Sequence, residues 1–172
     1  MAHVVEPASS GRAKCRSCDR PIGKGELRFG ERQPNAFGDG EMTVWFHLRC
    51  AAYSRPEAFL AVESATLDPQ LTAAARFGID HRRVPRLHGA ERAPTGRAHC
   101  RSCRALIDKG DWRIAIMFFE EYRFNAGGYI HARCAREYFG AVDLSERIRH
   151  YSPNLDETDC AEVTRAMVGS DN

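Results

Sequence analysis

The sequence contains its own copy. Gly11-Arg-Ala-Lys-Cys-Arg-Ser-Cys18 returns as Gly96-Arg-Ala-His-Cys-Arg-Ser-Cys103, with seven identities in eight positions at an offset of 85 residues. The match continues through Ile22/Ile107, Lys24/Lys109, Gly25/Gly110 and Arg28/Arg113. After a one-residue deletion it resumes at His47-Leu-Arg-Cys50 against His131-Ala-Arg-Cys134, and Leu67-Asp68 matches Leu155-Asp156 further on. A duplication of this kind means that the chain folds as two similar units, each about 75 to 85 residues long. Module boundaries of 1–81 and 96–172 follow, joined by a linker at 82–95 in which Pro85, Gly89 and Pro94 accompany charge and little apolar periodicity.

Each copy carries the same four potential metal ligands. A Cys-x2-Cys pair places two thiolates on one tight turn, and a His-x2-Cys pair completes a tetrahedron of the kind that closes structural zinc sites. The separation is 28 residues from Cys18 to His47 and 27 from Cys103 to His131. Recurrence of all four ligands is difficult to obtain by chance, so Cys15, Cys18, His47 and Cys50 are expected to hold one Zn²⁺, and Cys100, Cys103, His131 and Cys134 a second. Four protein ligands leave no position for a water, which argues for structural ions and against hydrolytic metal catalysis. The remaining cysteine, Cys160, sits beside Ala161 and Val163 and reads as a packed thiol on a C-terminal helix.

Within each unit the pattern is of α+β type: a short antiparallel sheet with helices packed on it. Strands are expected at Leu27 to Glu31, Met42 to His47, Arg113 to Phe119 and Tyr129 to His131. Turns are expected at Gly38-Asp39-Gly40 and at Asn125 to Gly128, where glycine accepts positive φ at little steric cost. Helices are expected at Ala51 to Val62, Pro69 to Phe77, Ala135 to Val142 and Asp156 to Met167, with Pro69 suited to a first turn.

The first fifteen residues show no apolar run, and the greasiest stretch, Ile114 to Phe119, is too short to span a bilayer, so an intracellular protein without membrane contact is expected. In a reducing compartment, cysteines are better explained by metal than by disulfides. Net charge is +2, but eight arginines stand between Arg76 and Arg104 against two acids, whereas Gly140 to Asn172 holds seven acids against three arginines. Basic charge comes from 22 Arg and 3 Lys, which suits bidentate phosphate contact and equally fits a GC-rich genome.

These residues resemble the zinc finger of poly(ADP-ribose) polymerase type, found also in a nuclear DNA ligase. The resemblance rests on the ligand pattern with its long spacer, on Gly11-Arg-Ala and Gly96-Arg-Ala, on Leu27-Arg28 and Trp112-Arg113, on Trp45-Phe-His47 and Tyr129-Ile-His131, and on Leu67-Asp68. It implies two Zn²⁺ as cofactors, and binding to double-stranded DNA at nicks, gaps and ends without regard to sequence. It further implies that Arg12, Arg28, Arg97 and Arg113 contact phosphates, with Arg16 and Arg101 as secondary candidates. Phe37, with Met42 beyond the glycine turn, would lie against an exposed terminal base pair. In the second unit Phe124 or Tyr122 would take that role, with Ala126 a poor aliphatic partner. The alternative for these aromatics is that they close the hairpin core.

No nucleotide-cradling glycine motif or catalytic triad accompanies the fingers, and 172 residues leave no room for a polymerase or ligase domain, so a binding protein and not an enzyme is expected. The leading hypothesis is a monomeric DNA-break sensor. The alternative is a zinc-scaffolded adaptor whose acidic C-terminal region meets a protein partner. A His/Cys-type nuclease lacks its acid and base residues, and binding to single-stranded nucleic acid or RNA would use the same aromatic and Arg surfaces. The site of action would be cytoplasm and nucleoid in a bacterium, or the nucleus in a eukaryote.

Overall fold

The computed structural model describes residues 2–63, 67–141 and 143–169. The chain divides into two compact units, one formed by residues up to Asp80 together with Glu120–Phe124, the other by His81–Phe119 with the residues from Asn125 onward. Each contributes a three-stranded sheet with helices, so the α+β expectation holds.

In the first module β1 (Val4–Pro7), β2 (Leu27–Pro34) and β3 (Glu41–His47) lie side by side in that order, each pair antiparallel. Alternation in β3 turns Val44 and Phe46 inward, where they join Phe29, Ile22 and Phe59 in the core. Gly30 sits where strands crowd: an added Cβ would lie 2.7 Å from the Trp45 ring and 2.8 Å from Thr43. Only a hydrogen fits there.

The single helix expected at Ala51 to Val62 is two, α1 (Leu48–Ser54) and α2 (Pro56–Leu60). Proline at 56 lacks an N–H and disfavours helical backbone before it, and Arg55 accordingly leaves the helix at φ −134° and ψ 53°. Next comes α3 (Pro69–Asp80), at whose start the Asp68 carboxylate accepts from the backbone N–H of Gln70 at 2.7 Å and of Leu71 at 3.2 Å.

In the second module β4 (Leu87–Arg92), β5 (Trp112–Glu120) and β6 (Arg123–His131) form the sheet. The stretch 82–95, expected as a linker, therefore supplies the first strand of this sheet and a 3-10 turn at Val84–Arg86. The turn expected at Asn125 to Gly128 lies inside β6; the reversal is made instead by Glu121 and Tyr122, with φ of 49° and 64°. The glycines serve another purpose. A Cβ on Gly127 would stand 2.3 Å from the Phe118 ring, and Gly128 at φ 94° lies under the Arg101 side chain.

After a 3-10 turn at Ala132–Cys134 come α4 (Ala135–Phe139), α5 (Ser145–Tyr151) and α6 (Glu157–Val168). Gly140 ends α4 in the left-handed conformation at φ 65°, short of the expected Val142, which lies outside the described residues. Asp156 caps α6 by accepting from the Asp159 N–H at 2.8 Å, so the repeated Leu-Asp pair is a helix-capping signal in both modules. Cys160 is packed within α6, as expected. No described helix is long and apolar enough to cross a membrane.

Candidate zinc centres and DNA-facing residues

Both Cys-x2-Cys segments fold into the same knuckle. In the first, the Cys15 N–H donates to the Arg20 carbonyl at 2.9 Å and the Asp19 N–H to the Cys15 carbonyl at 2.8 Å. In the second, Cys100 donates to Ala105 at 2.8 Å and Arg104 to Cys100 at 2.9 Å. Asp19 and Arg104, equivalent in the repeat, both turn the chain with positive φ, 57° and 68°. Each knuckle is pinned to the last strand of its sheet: Arg16 N–H donates to the Trp45 carbonyl and Arg101 N–H to that of Tyr129, both at 2.8 Å. That strand ends on the histidine ligand, and the chain then turns helically and brings the fourth ligand round three residues later.

The result is two clusters, Cys15, Cys18, His47, Cys50 and Cys100, Cys103, His131, Cys134, in each of which the four ligand atoms lie within 4.8 Å of one another. Tetrahedral zinc with Zn–S bonds of about 2.3 Å places its sulfurs about 3.8 Å apart, so the donor sets fit the ion. The histidine orientation also fits. Nδ1 of His47 faces Cys18 and Cys50 sulfurs at 3.4 and 3.8 Å, while Nε2 lies 3.1 Å from the Pro21 carbonyl oxygen. In His131 the same atoms lie 3.4 and 3.9 Å from Cys103 and Cys134 and 2.9 Å from the Leu106 carbonyl. Nε2–H donation to a carbonyl fixes the tautomer that leaves Nδ1 free to bind metal. Backbone N–H groups support the thiolates as well, from His47 to Cys15 Sγ at 3.4 Å and from His131 to Cys100 Sγ at 3.3 Å.

Thiols packed this closely share protons unevenly. Hydrogen bonding from Cys15 and Cys50 brings Cys18 far below its ordinary value, and hydrogen bonds with Cys15 and Cys18 push Cys50 far above. Hydrogen bonding to the thiolate of Cys15 raises His47 to about 10. Burial works to raise Cys100, but N–H groups from Cys103, His131 and Ser102 overcome it and bring the thiol down to about 6. Burial and the neighbouring charge of Cys100 push Cys134 up to about 12. Such clusters ionise completely only around a cation. Two Cys3His centres therefore hold two Zn²⁺, one in each module.

The arginines expected at phosphates divide into two kinds. Arg12 and Arg97 stand exposed before the knuckles, and Arg16 and Arg101 are exposed within them. Arg28 and Arg113 are buried. Arg28 Nη2 donates to Glu6 Oε1 at 2.7 Å, and its guanidinium lies 3.5 Å over the Trp45 ring. Arg113 donates through Nε at 3.0 Å and through Nη2 to Glu91 Oε1, and lies 3.6 Å over Tyr129. The glutamates of these arrangements escaped the sequence because β1 and β4 did; the signal was present as Glu6 and Glu91 at the repeat offset of 85.

Phe37 is 94% exposed on the loop between β2 and β3, where its N–H donates to the Asn35 side chain at 3.0 Å and Gly40 at φ 97° closes the turn. Met42, at the start of β3, is half-buried. Phe124 in β6 is also half-buried.

The Poly(ADP-ribose) polymerase and DNA-Ligase Zn-finger region family matches residues 6–70, which lie within the first module. A poly [ADP-ribose] polymerase 1 of Oryza sativa subsp. japonica is 28% identical over 79% of this chain, and a poly [ADP-ribose] polymerase of Sarcophaga peregrina 28% identical over 95%. That of Caenorhabditis elegans reaches 38% identity over 29% of the chain. The chain spans only 14% and 19% of the length of the first two relatives.

Proposed function

We propose that this chain, whose residues 6–70 belong to the zinc-finger family of poly(ADP-ribose) polymerases and DNA ligases, binds double-stranded DNA at nicks, gaps and ends. The observation that carries this reading is Phe37: a large apolar side chain 94% exposed on a short loop of a zinc-braced module. An intact duplex hides the faces of its base pairs within the stack. At a break a terminal pair is uncovered, and an aromatic ring stacked there contributes roughly 1–3 kcal/mol. Met42 stands beside that role at the foot of β3, and Phe124 on β6 is the counterpart in role of Phe37 in the second repeat.

Arg12 and Arg97, with Arg28 and Arg113, supply phosphate contacts whose strength depends on salt and not on sequence. Zinc takes no part in chemistry; it braces the frame that presents these side chains. Joining two modules in one monomeric chain raises avidity through effective concentration. The protein works where the DNA is, in the nucleoid of a bacterium or the nucleus of a eukaryote. The test is Phe37→Ala, measured by fluorescence anisotropy on a nicked hairpin duplex and on the same duplex sealed. Preference for the nick should fall about tenfold while zinc content stays at two per chain. Unchanged preference would remove Phe37 from the mechanism.

A further inference from the structure

The two buried arginines sit in matching clamps. Each lies directly across an antiparallel pair from a glutamate, Glu6 opposite Arg28 and Glu91 opposite Arg113. Each has an aromatic ring from the third strand against its face, Trp45 at 3.5 Å and Tyr129 at 3.6 Å. The arginine side chains are 9% and 8% exposed, whereas those of the glutamates are 45% and 50% exposed. Glutamate and arginine recur at the offset of 85 and the aromatic at 84, after the one-residue deletion, although most of the surrounding strand sequence does not recur.

A guanidinium carries five N–H donors in a rigid fork. The carboxylate takes Nη2 of Arg28, and both Nε and Nη2 of Arg113. Among the described residues, Nη1 of neither arginine has a protein partner, and neither Nη1 is sealed from solvent; the buried Nε of Arg28 is the one orphaned donor. The ring fixes the plane of the fork and the carboxylate fixes its rotation within that plane. What is left to face outward is one edge of a cation whose rotamer freedom is already spent.

We propose that Glu6 and Glu91 are positioning residues that orient Arg28 and Arg113 so that their Nη1 edges meet DNA phosphate. This rests on the DNA-binding reading above. It separates these glutamates from simple counter-ions, which would oppose a phosphate and weaken binding.

The experiment compares zinc-loaded full chains carrying Glu6→Ala, Glu6→Asp or Glu6→Gln, and the same three changes at Glu91, for binding to a nicked hairpin duplex across a salt series. Guanidinium N–H resonances are recorded on the free proteins. Ala and Asp variants should bind about tenfold more weakly, Ala by losing the carboxylate and Asp by drawing it back one methylene. Gln, whose amide oxygen reaches the same place, should recover most of the affinity. The N–H resonances bound to the carboxylate, Nη2 of Arg28 and Nε and Nη2 of Arg113, should be sharp in the wild type and Gln variant and broadened in Ala. Tighter binding by both Ala and Gln variants would overturn the proposal in favour of counter-ions, and unchanged binding by Ala and Asp would overturn it outright. Should an Ala variant not fold, Asp against Gln decides alone. A wild-type chain that binds no DNA would instead remove the underlying reading, and the proposal with it.

Discussion

Glu31 on β2 and Arg55 between α1 and α2 form an ion pair with a buried carboxylate: Arg55 donates through Nε to one oxygen of Glu31 at 2.9 Å and through Nη2 to the other at 2.6 Å. The equivalent positions in the second module are Ile116 and Phe139, both buried and apolar. The same place in the fold is thus filled by charge in one copy and by hydrocarbon in the other. Removing one member of a buried pair leaves the other charge stranded, so Glu31→Ala should cost about 3–5 kcal/mol of first-module stability. Glu31→Ile combined with Arg55→Phe should recover most of that, because an apolar pair of adequate volume needs no desolvation. Denaturant unfolding of zinc-loaded variants checks both, and a double variant no more stable than the single one would show that the ion pair has no apolar substitute here.

Zinc affinity should fall as pH falls. In the metal-free second cluster Cys134, near 12, keeps its proton at neutral pH, and the ion must displace it. Above about 6 this alone lowers affinity by about tenfold per pH unit; below it Cys100 protonates as well and the dependence steepens. Chelator competition across that range reads the slope. Full chelation should release two ions per chain and unfold both modules, because small domains bury too little apolar surface to fold unaided. A folded circular dichroism spectrum after complete zinc removal would refute this.

Gly127→Ala should destabilise the second module by about 1–3 kcal/mol through overpacking, since the new methyl would stand 2.3 Å from the Phe118 ring and 3.1 Å from the Ile116 carbonyl. Gly25, at φ 82° with open space around it, would suffer backbone strain instead on the same substitution. Thermal unfolding distinguishes the two causes when Phe118→Leu is added: it should relieve the first loss and leave the second untouched.

Arg12→Ala and Arg97→Ala should each weaken binding to sealed and nicked duplex alike. Each should also reduce the slope of log affinity against log salt by about 0.9, the value for one lost phosphate contact. A variant with an unchanged slope has no such contact.

The zinc ligands, the helices that follow the Leu-Asp pairs and most of the strands were legible because each depends on a local residue pattern that the repeat supplies twice. Internal duplication made a weak four-residue pattern into a strong one. The edge strands β1 and β4 were not legible. Val4–Pro7 is four residues long, and Leu87–Arg92 carries Gly89, Glu91 and Arg92, so neither shows clean alternation, and both owe their strand conformation to a partner far along the chain. Missing them hid Glu6 and Glu91, and with them the burial of Arg28 and Arg113. Asn125 to Gly128 misled for a different reason: glycine signals permissive backbone, and here that permission serves close packing on Phe118 and Arg101 within a strand. The positive φ of the true turn falls on Glu121 and Tyr122, residues that carry no such signal.

The most direct measurement is the affinity of the zinc-loaded chain for a DNA dumbbell with both ends closed, set against the same dumbbell bearing one nick, at equal salt. Binding at least about tenfold tighter to the nicked form is predicted, the gain from one uncovered base-pair face. Equal affinity for the two forms would contradict break recognition.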